Sequence, residues 1–340
     1  MKTFANAPSA IAGVVLGVVL LLASARLAAQ ATFKSATDGI WVTASVVDKD
    51  GHLVTDLTKD DFEIKDNGVT REVTNFSREI VPITVVMLLD MSGSQETGVE
   101  WIRKGAGAFV NRMLAADRAR IGTFGVEIAL SPRLTSDPVY LHRVLREEIW
   151  PGGNTPLWEA MDLGMSSLAG EQGRRVILAL TDGIDTTPPP AGLNAPLNIN
   201  DPRSTTAATQ ALQSAQGASA DPLSAGGRYA VVRTRAEREG FMVYAVGHVA
   251  PDGAPGARGV PLSGQIRALA TDSGGGYRSF AERDNAAAAL SEVADELHHQ
   301  YLIGFSSTAL DGKMHRLEIR AKRGGMTVQA RKSYLAVAAR

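Results

Sequence analysis

Two short apolar runs, each followed at once by polar oxygen donors, constrain the fold of this chain more than any other feature. The first, Ile83 to Leu89, leads into Asp90-Met91-Ser92-Gly93-Ser94, and the second, Val176 to Leu180, leads into Thr181-Asp182-Gly183. Apolar runs of this length are typical of strands buried on both faces of a parallel sheet. Open α/β sheets bind ligands at the carboxyl ends of their strands, so both aspartates are predicted to lie at a binding edge.

A third segment, Gly152-Gly153-Asn154-Thr155-Pro156-Leu157, lies between these two runs and adds another hydroxyl. Hard divalent cations such as Mg²⁺ prefer oxygen ligands. The sequence therefore predicts a metal site, and its candidate ligands are Asp90, Ser92, Ser94, Thr155 and Asp182.

Apolar runs alternate with helical patterns over residues 82–300, which predicts a doubly wound α/β fold with a mostly parallel sheet. The predicted strands are 83–90, 119–125, 127–130, 175–181, 241–247 and 276–280. The predicted helices are 98–115, 137–148, 157–169, 228–239, 264–272 and 284–300. The short pair of strands around Gly125 is predicted to form an antiparallel edge.

Both flanks of this region have β patterns. In residues 39–80 a period-two strand comes first, and Asp66-Asn67-Gly68 then predicts a hairpin whose return strand is Val69 to Phe76. In residues 301–336 the turn Arg323-Gly324-Gly325 predicts a second hairpin. Small β units are not stable alone, so the two flanks are predicted to pack into one small β-sandwich with the α/β domain inserted in it.

The first 31 residues have the pattern of a secretory signal peptide. Lys2 precedes an apolar run from Ile11 to Ala23, and Ala29-Gln30-Ala31 fits a cleavage site. An uncleaved anchor is the alternative, although a spanning helix needs about 20 apolar residues. Cleavage predicts an extracytoplasmic protein, periplasmic or secreted, with no stable membrane span.

Composition excludes several classes of function. Lys and Arg number 35 against 36 Asp and Glu, so no bulk charge favours nucleic acid or anionic lipid. The chain has no cysteine, which excludes disulfides, a thiol nucleophile and a zinc thiolate site. It also has neither an H-E-x-x-H nor a G-x-S-x-G motif. These absences favour a protein that is not an enzyme.

The order of these motifs resembles the von Willebrand factor A domain in its bacterial extracytoplasmic form. The residues that carry the resemblance are Asp90-x-Ser92-x-Ser94, Thr155 in Gly-Gly-Asn-Thr-Pro-Leu, and Asp182 in Thr-Asp-Gly. The flanks are also similar to one bacterial subfamily, through Leu57-Thr58-x-x-Asp61-Phe62 and Tyr301 to Phe305. The departure is the low-complexity insertion over 186–227, which follows Asp182.

The resemblance implies a metal-ion-dependent adhesion site. Its cation would be divalent, with Mg²⁺ favoured and Mn²⁺ or Ca²⁺ as alternatives. With Asp182 acting through water, as the family implies, Asp90 would be the one direct carboxylate, and an open coordination position would accept an Asp or Glu carboxylate of a protein partner. The alternative function is a structural or assembly component of the cell envelope in which the metal only stabilises the fold.

Three further polar groups are assigned roles unrelated to the predicted site. Asp48-Lys49-Asp50-Gly51 is interpreted as a plain turn, because His52 and Leu53 break the spacing of a calcium loop. Asp185 is expected to be solvated. His298 and His299 are expected to serve as cations at the end of the last predicted helix.

Overall fold

The structure is a computed structural model that describes residues 39–92, 99–147, 152–181, 183–187, 225–248, 263–280, 285–307 and 309–337. The strands in these ranges are β1 (Gly39–Val47), β2 (Phe62–Asp66), β3 (Val69–Arg71), β4 (Val73–Ser77), β5 (Ile83–Asp90), β6 (Arg118–Phe124), β7 (Ile128–Leu130), β8 (Arg174–Leu180), β9 (Met242–His248), β10 (Tyr277–Phe280), β11 (Tyr301–Ser306), β12 (Met314–Ala321), β13 (Thr327–Ala330) and β14 (Ser333–Leu335). The helices are α1 (Val99–Arg112), α2 (Pro138–Glu147), α3 (Leu157–Ser167), α4 (Ala225–Glu239), α5 (Gly264–Asp272) and α6 (Ala286–His298).

Within the described residues, six strands form the central sheet in the order β10-β9-β8-β5-β6-β7. All neighbouring pairs are parallel except β6 and β7, which pair antiparallel at one edge. The predicted doubly wound fold with an antiparallel edge strand is therefore confirmed. Each predicted strand and helix of this region is present, with ends that differ by at most three residues.

The β5 strand shows why the sheet is wound on both faces. All eight of its residues are buried, and its six apolar residues divide between two hydrophobic clusters. Val85 and Met87 pack with residues of α1, α2 and α6, including Phe109. Val86 and Leu88 pack with residues of α3, α4 and α5 on the other face. A strand with apolar residues on both faces needs helices on both sides, as the sequence predicted.

Two four-stranded sheets flank the central sheet, in the orders β13-β1-β11-β4 and β14-β12-β2-β3. Each contains strands from both flanks of the sequence. Their inner faces share one hydrophobic cluster that includes Val42, Phe62, Tyr301, Leu317 and Tyr334. The β-sandwich is therefore built from amino-terminal and carboxyl-terminal strands, and residues 39–340 form one compact unit.

The strand pairing inside the sandwich differs from the prediction in two places. The predicted hairpin at Asp66-Asn67-Gly68 is confirmed, because β3 pairs antiparallel with β2. Its return strand over 69–76 is interrupted at Glu72, and the second half, β4, pairs with β11 in the other sheet. The predicted carboxyl-terminal hairpin is wrong, because β12 pairs with β2 and β14, and β13 pairs with β1. In both places a short turn carries the chain from one sheet to the other.

Several predicted features lie outside the described residues. They are the signal peptide over 1–31 and most of the insertion, from residue 188 to residue 224. The boundaries of the segments 39–80, 82–300 and 301–336 stay predictions. Among the described residues, no helix combines the length and the apolar character needed to cross a membrane.

A buried polar network joins the sandwich to the α/β domain. Glu296 on α6 is fully buried, and its Oε1 accepts hydrogen bonds from Ser45 Oγ on β1 and from the Tyr244 hydroxyl on β9, both at 2.8 Å. Its Oε2 lies 2.5 Å from Nη2 of Arg278 on β10. Gln300 donates to both hydroxyls at 3.3 Å. One carboxylate thus links three strands and a helix from both parts of the unit.

Two other buried aspartates each bind a histidine. His298 lies in the last turn of α6, as expected, and its Nε2 is 2.8 Å from Asp117 Oδ2, so it is also the buried partner of a carboxylate. In the sandwich, His315 Nδ1 lies 2.7 Å from Asp66 Oδ1, and Ser307 donates to Asp66 at 3.0 Å. Burial alone would raise the pKa of each aspartate, but hydrogen bonds outweigh it and hold both pKa values below the ordinary range.

These two aspartates predict a loss of stability in acid. A carboxyl group with a lowered folded-state pKa stabilises the fold above the unfolded pKa, about 3.9, and that contribution is lost as pH falls through the folded pKa. We expect the free energy of unfolding, measured by urea titration, to fall between pH 5 and pH 2, with a shallower fall in Asp66→Asn. If the free energy of unfolding falls equally steeply with pH in Asp66→Asn and wild type, the ionised Asp66 carboxylate does not stabilise the fold.

Candidate metal site

The carboxylate of Asp90 lies at the carboxyl end of β5, where it is fully buried. Its Oδ1 accepts hydrogen bonds from the backbone N–H of Ser92 at 3.0 Å and from the Ser92 hydroxyl at 2.6 Å. Its Oδ2 accepts one from the hydroxyl of Thr181, at the end of the neighbouring strand β8, at 2.6 Å. The two apolar runs therefore bring their polar ends together at one sheet edge, as the sequence predicted.

Thr155 reaches the same edge through a loop that precedes α3. The loop is fixed to the end of β5 by a hydrogen bond of 2.6 Å from Gly152 N to Met91 O. Gly153 has a φ of 85°, and a Cβ there would lie 2.5 Å from the backbone nitrogen of Val126, so only glycine fits. Thr155 is buried, and its backbone exchanges hydrogen bonds with Thr186, beyond the Thr181-Asp182-Gly183 motif.

The structure describes three of the five predicted ligands. Asp90, Ser92 and Thr155 are buried side chains on segments that converge at the carboxyl edge of the sheet. Ser94 and Asp182 lie outside the described residues. Their roles as ligands stay predictions.

Thr181 contacts the site through its hydroxyl, although it is not one of the five predicted ligands. Besides donating to Asp90, its hydroxyl accepts the backbone N–H of Gly183 at 3.0 Å. It therefore orients the Asp90 carboxylate and is itself held by the backbone of Gly183. The sequence did contain a signal for this role. Thr181 directly follows the apolar run Val176 to Leu180, so its hydroxyl lies at the same edge of the sheet as Asp90 at the end of the neighbouring strand β5.

Asp185 is buried, so the expectation of a solvated carboxylate is wrong. Its side chain is 3% exposed and lies 3.2 Å from Nη2 of Arg228 on α4. It also accepts the backbone N–H groups of Trp158 and Thr187. Arg228 makes a second ion pair with Glu159 at 3.0 Å. These contacts fix residues 183–187 against the start of α3, next to Thr155.

The donor set fits a hard divalent cation. The described groups are one carboxylate, Asp90, and the neutral hydroxyls of Ser92, Thr155 and Thr181, with no nitrogen or sulfur donor among these four side chains. Mg²⁺ and Mn²⁺ both bind oxygen ligands of this kind. Asp90, Ser92 and Thr155 would hold the cation, and Thr181 would orient the carboxylate from behind, as groups beside metal ligands commonly do.

A second group of potential ligands lies on the surface of the sandwich. One ligand atom from each of Asp48, Asp50 and His52 lies within 4.8 Å of the others. Asp48 Oδ1 accepts the backbone N–H groups of Asp50 and His52, both at 2.9 Å, and Gly51 has a φ of 84°. These contacts are those of an ordinary turn, as the sequence predicted. A substitution in this turn is therefore a suitable control for metal binding at Asp90.

Comparison with known proteins concerns the fold. No protein-family model and no curated protein matches this sequence. The von Willebrand factor domain of the pilus tip protein Mfa5 from Porphyromonas gingivalis is 15% identical, with a TM-score of 0.44 over 64% of this chain and 95% of that one. A von Willebrand factor type A protein from Catenulispora acidiphila is 14% identical, with a TM-score of 0.42 over 81% and 72%.

Manganese-loaded TRAP from Plasmodium vivax is 12% identical, with a TM-score of 0.40 over 80% of this chain and 99% of that chain. Similarities this weak say nothing about partners. The antiparallel edge predicted from the short pair of strands around Gly125 is present as β6 and β7. The α/β domain has the doubly wound, mostly parallel fold that the sequence predicted.

Proposed function

We propose that this protein is an exported, non-enzymatic binding module that holds a divalent cation and uses it to capture a carboxylate of a protein partner. The observation that supports the proposal is that Asp90 and Ser92, from one segment, and Thr155, from another, converge at the carboxyl edge of the sheet. A site at this edge is where open α/β sheets bind ligands. Export rests on the signal peptide predicted over residues 1–31.

The charge of the site favours an acidic partner. Asp90 contributes one negative charge, whereas Ser92, Thr155 and Thr181 contribute neutral hydroxyls. A bound divalent cation would supply a net positive centre, which attracts a carboxylate of the partner. The side chains of this chain would hold and orient the cation, and no catalytic group is needed for capture. Mg²⁺ is the favoured cation, with Mn²⁺ and Ca²⁺ as alternatives.

The alternative is an assembly component in which the cation only stabilises the fold. Buried ligands that join three segments would give metal-dependent stability under either function. The two functions differ in one respect: only a binding module requires the cation for capture of a partner. The test therefore has to measure metal binding and capture on the same variants.

Calorimetric titration with Mg²⁺ or Mn²⁺ is the first half of that test. We expect Asp90→Ala to weaken binding at least roughly 100-fold, since loss of groups that only orient metal ligands already costs about 10- to 100-fold. Thr155→Ala removes a neutral ligand and should cause a smaller loss. Asp50→Ala is the matched control, because it removes a carboxylate from the surface turn. Equal affinities in wild type and Asp90→Ala would refute the site.

Capture of a partner from the envelope fraction of the source organism is the second half. Wild type and Asp50→Ala should retain a specific protein in Mg²⁺ and release it in EDTA, whereas Asp90→Ala should retain none. Blocking the carboxyl groups of the envelope proteins by amidation should abolish capture. If the cation raises the melting temperature of wild type but EDTA leaves capture unchanged, the alternative function is correct.

A further inference from the structure

A cavity of about 310 Å³ lies between the sandwich and the amino-terminal edge of the central sheet. Its lining includes Trp41 of β1, Leu302 of β11, and Met242 at the start of β9. Three arginines also line it: Arg174 and Arg175 at the start of β8, and Arg331 between β13 and β14. Because β5 and β8 are parallel, this edge is opposite to the one that carries Asp90.

The three guanidinium groups have neutral partners. Arg174 donates to the carbonyls of Val81 and Leu297, at 2.9 and 2.6 Å, and to the side-chain oxygen of Gln300. Arg175 donates to the carbonyl of Glu239. Arg331 donates to the carbonyls of Ser333 and Glu237, at 2.6 and 2.7 Å.

Acidic groups near the cavity are bound elsewhere. None of the described residues that line it is an aspartate or a glutamate. The carboxylates of Glu237 and Glu239 on α4 instead pair with Arg233 and Arg235, both at 3.0 Å. Three arginines therefore line one small cavity, and the carboxylates that favour their charged forms, those of Asp117, Glu237 and Glu239, lie outside its lining.

The arginines also have donors beyond those that bind the carbonyls. A guanidinium carries five N–H groups in a planar fork. Nε of Arg174 is buried and has no hydrogen-bond partner among the described residues. Nη1 of Arg331 lies beside Gly240, where a Cβ would come within 3.2 Å of it. The absence of a Cβ at Gly240 thus lets the Arg331 guanidinium pack closely against the backbone at the cavity wall.

Burial of this charge is costly without a counter-charge. Burial lowers the pKa of the Arg174 guanidinium to about 10, and it lowers the pKa values of Arg175 and Arg331 as well. Each group stays protonated at neutral pH. An anion in the cavity would supply the counter-charge that the described lining lacks.

We propose that this cavity is a binding site for a small oxyanion, a compound with one carboxylate, sulfate or phosphate group, and that Arg174, Arg175 and Arg331 bind that group. Planar guanidinium groups match the geometry of such oxyanions. The volume is at the small end of the range for ligand pockets, about 300–1,000 Å³. Trp41, Met242 and Leu302 would pack against the organic part of a ligand that has one.

Calorimetric titration of the full mature chain with sodium phosphate, sodium sulfate and sodium benzoate tests the proposal. The titrations are done in EDTA, so the result does not depend on the predicted metal site, and at constant ionic strength set with sodium chloride. We expect one site per chain for at least one anion. Arg175→Met and Arg331→Met should each weaken binding roughly 10- to 100-fold, the usual loss for a hydrogen bond to a charged group.

Arg146→Met is the matched control, because Arg146 is an exposed arginine on α2 and should not affect the affinity. Arg175→Met is the variant most certain to fold, since a methionine stem can still pack on Phe241, over whose ring Arg175 lies 4.4 Å from the centroid. Circular dichroism checks each fold. No stoichiometric binding of any of the three anions, or unchanged affinity in folded Arg175→Met, would overturn the proposal.

Discussion

A chain that ends before residue 314 is expected to lose the sandwich and to aggregate. The deletion of 314–340 removes β12, β13 and β14, so both sheets of the sandwich lose strands. It also removes Leu317 and Tyr334 from the shared core and uncovers Phe62 and Ile64. Each large apolar side chain that leaves a core costs about 1.5–3 kcal/mol, against a total stability of about 5–15 kcal/mol.

Size-exclusion chromatography and far-ultraviolet circular dichroism measure this result. The truncated chain should elute in the void volume or lose β signal, and it should bind a hydrophobic dye. A chain that ends at Val337 is the control and should melt at the temperature of the full mature chain. If the chain truncated before 314 is monomeric and equally heat-stable, the shared core of the two flanks is not needed for folding.

Sequence periodicity was sufficient to predict the α/β domain. The strand Ile83–Asp90 was predicted at its observed bounds, because a short apolar run that ends in polar residues is typical of a strand buried on both faces of a parallel sheet. The sandwich was predicted as a unit, but its pairing was not. Alternation in Val69 to Phe76 shows which residues face the core, and it carries no information on which sheet each half joins.

In the candidate site, too, the sequence predicted features within one segment and missed contacts between distant segments. Asp90 and Thr155 could be assigned because each follows a motif in its own segment of the chain. The contact between Asp185 and Arg228 could not, since the two residues are 43 positions apart and no local pattern marks either as a partner. The arginine cavity was also missed, because its walls come from β1, β8, β9, β11 and the segment after β13.

Replacement of Glu296 by alanine is expected to be the most destabilising single substitution in the unit. The fully buried carboxylate binds Arg278, Ser45 and Tyr244, so its loss leaves a partly buried guanidinium and two buried hydroxyls without their acceptor. Burial raises the pKa of Tyr244 and Glu296 raises it further, so the tyrosine hydroxyl stays protonated and donates. Removing one partner of a buried ion pair costs about 3–5 kcal/mol.

Thermal denaturation compares this substitution with two others. At about 2–4 °C for each kcal/mol, Glu296→Ala should lower the melting temperature by roughly 10 °C. Ser45→Ala, which removes one hydrogen bond to the same carboxylate, should cost only about 0.5–1.5 kcal/mol. A decrease in Glu296→Ala no greater than that in Ser45→Ala would show that the carboxylate does not hold the junction together.

The double substitution Glu296→Leu with Arg278→Met separates charge from packing. Buried ion pairs can often be replaced by apolar residues of similar volume at little cost, because neither charge then has to be desolvated. The double variant should therefore recover part of the stability lost in Glu296→Ala, although Tyr244 and Ser45 still lack their acceptor. Recovery would show that the unpaired charge of Arg278 causes most of the loss. If the double variant is as unstable as the single one, the hydrogen bonds from Tyr244 and Ser45 are what join the sandwich to the α/β domain.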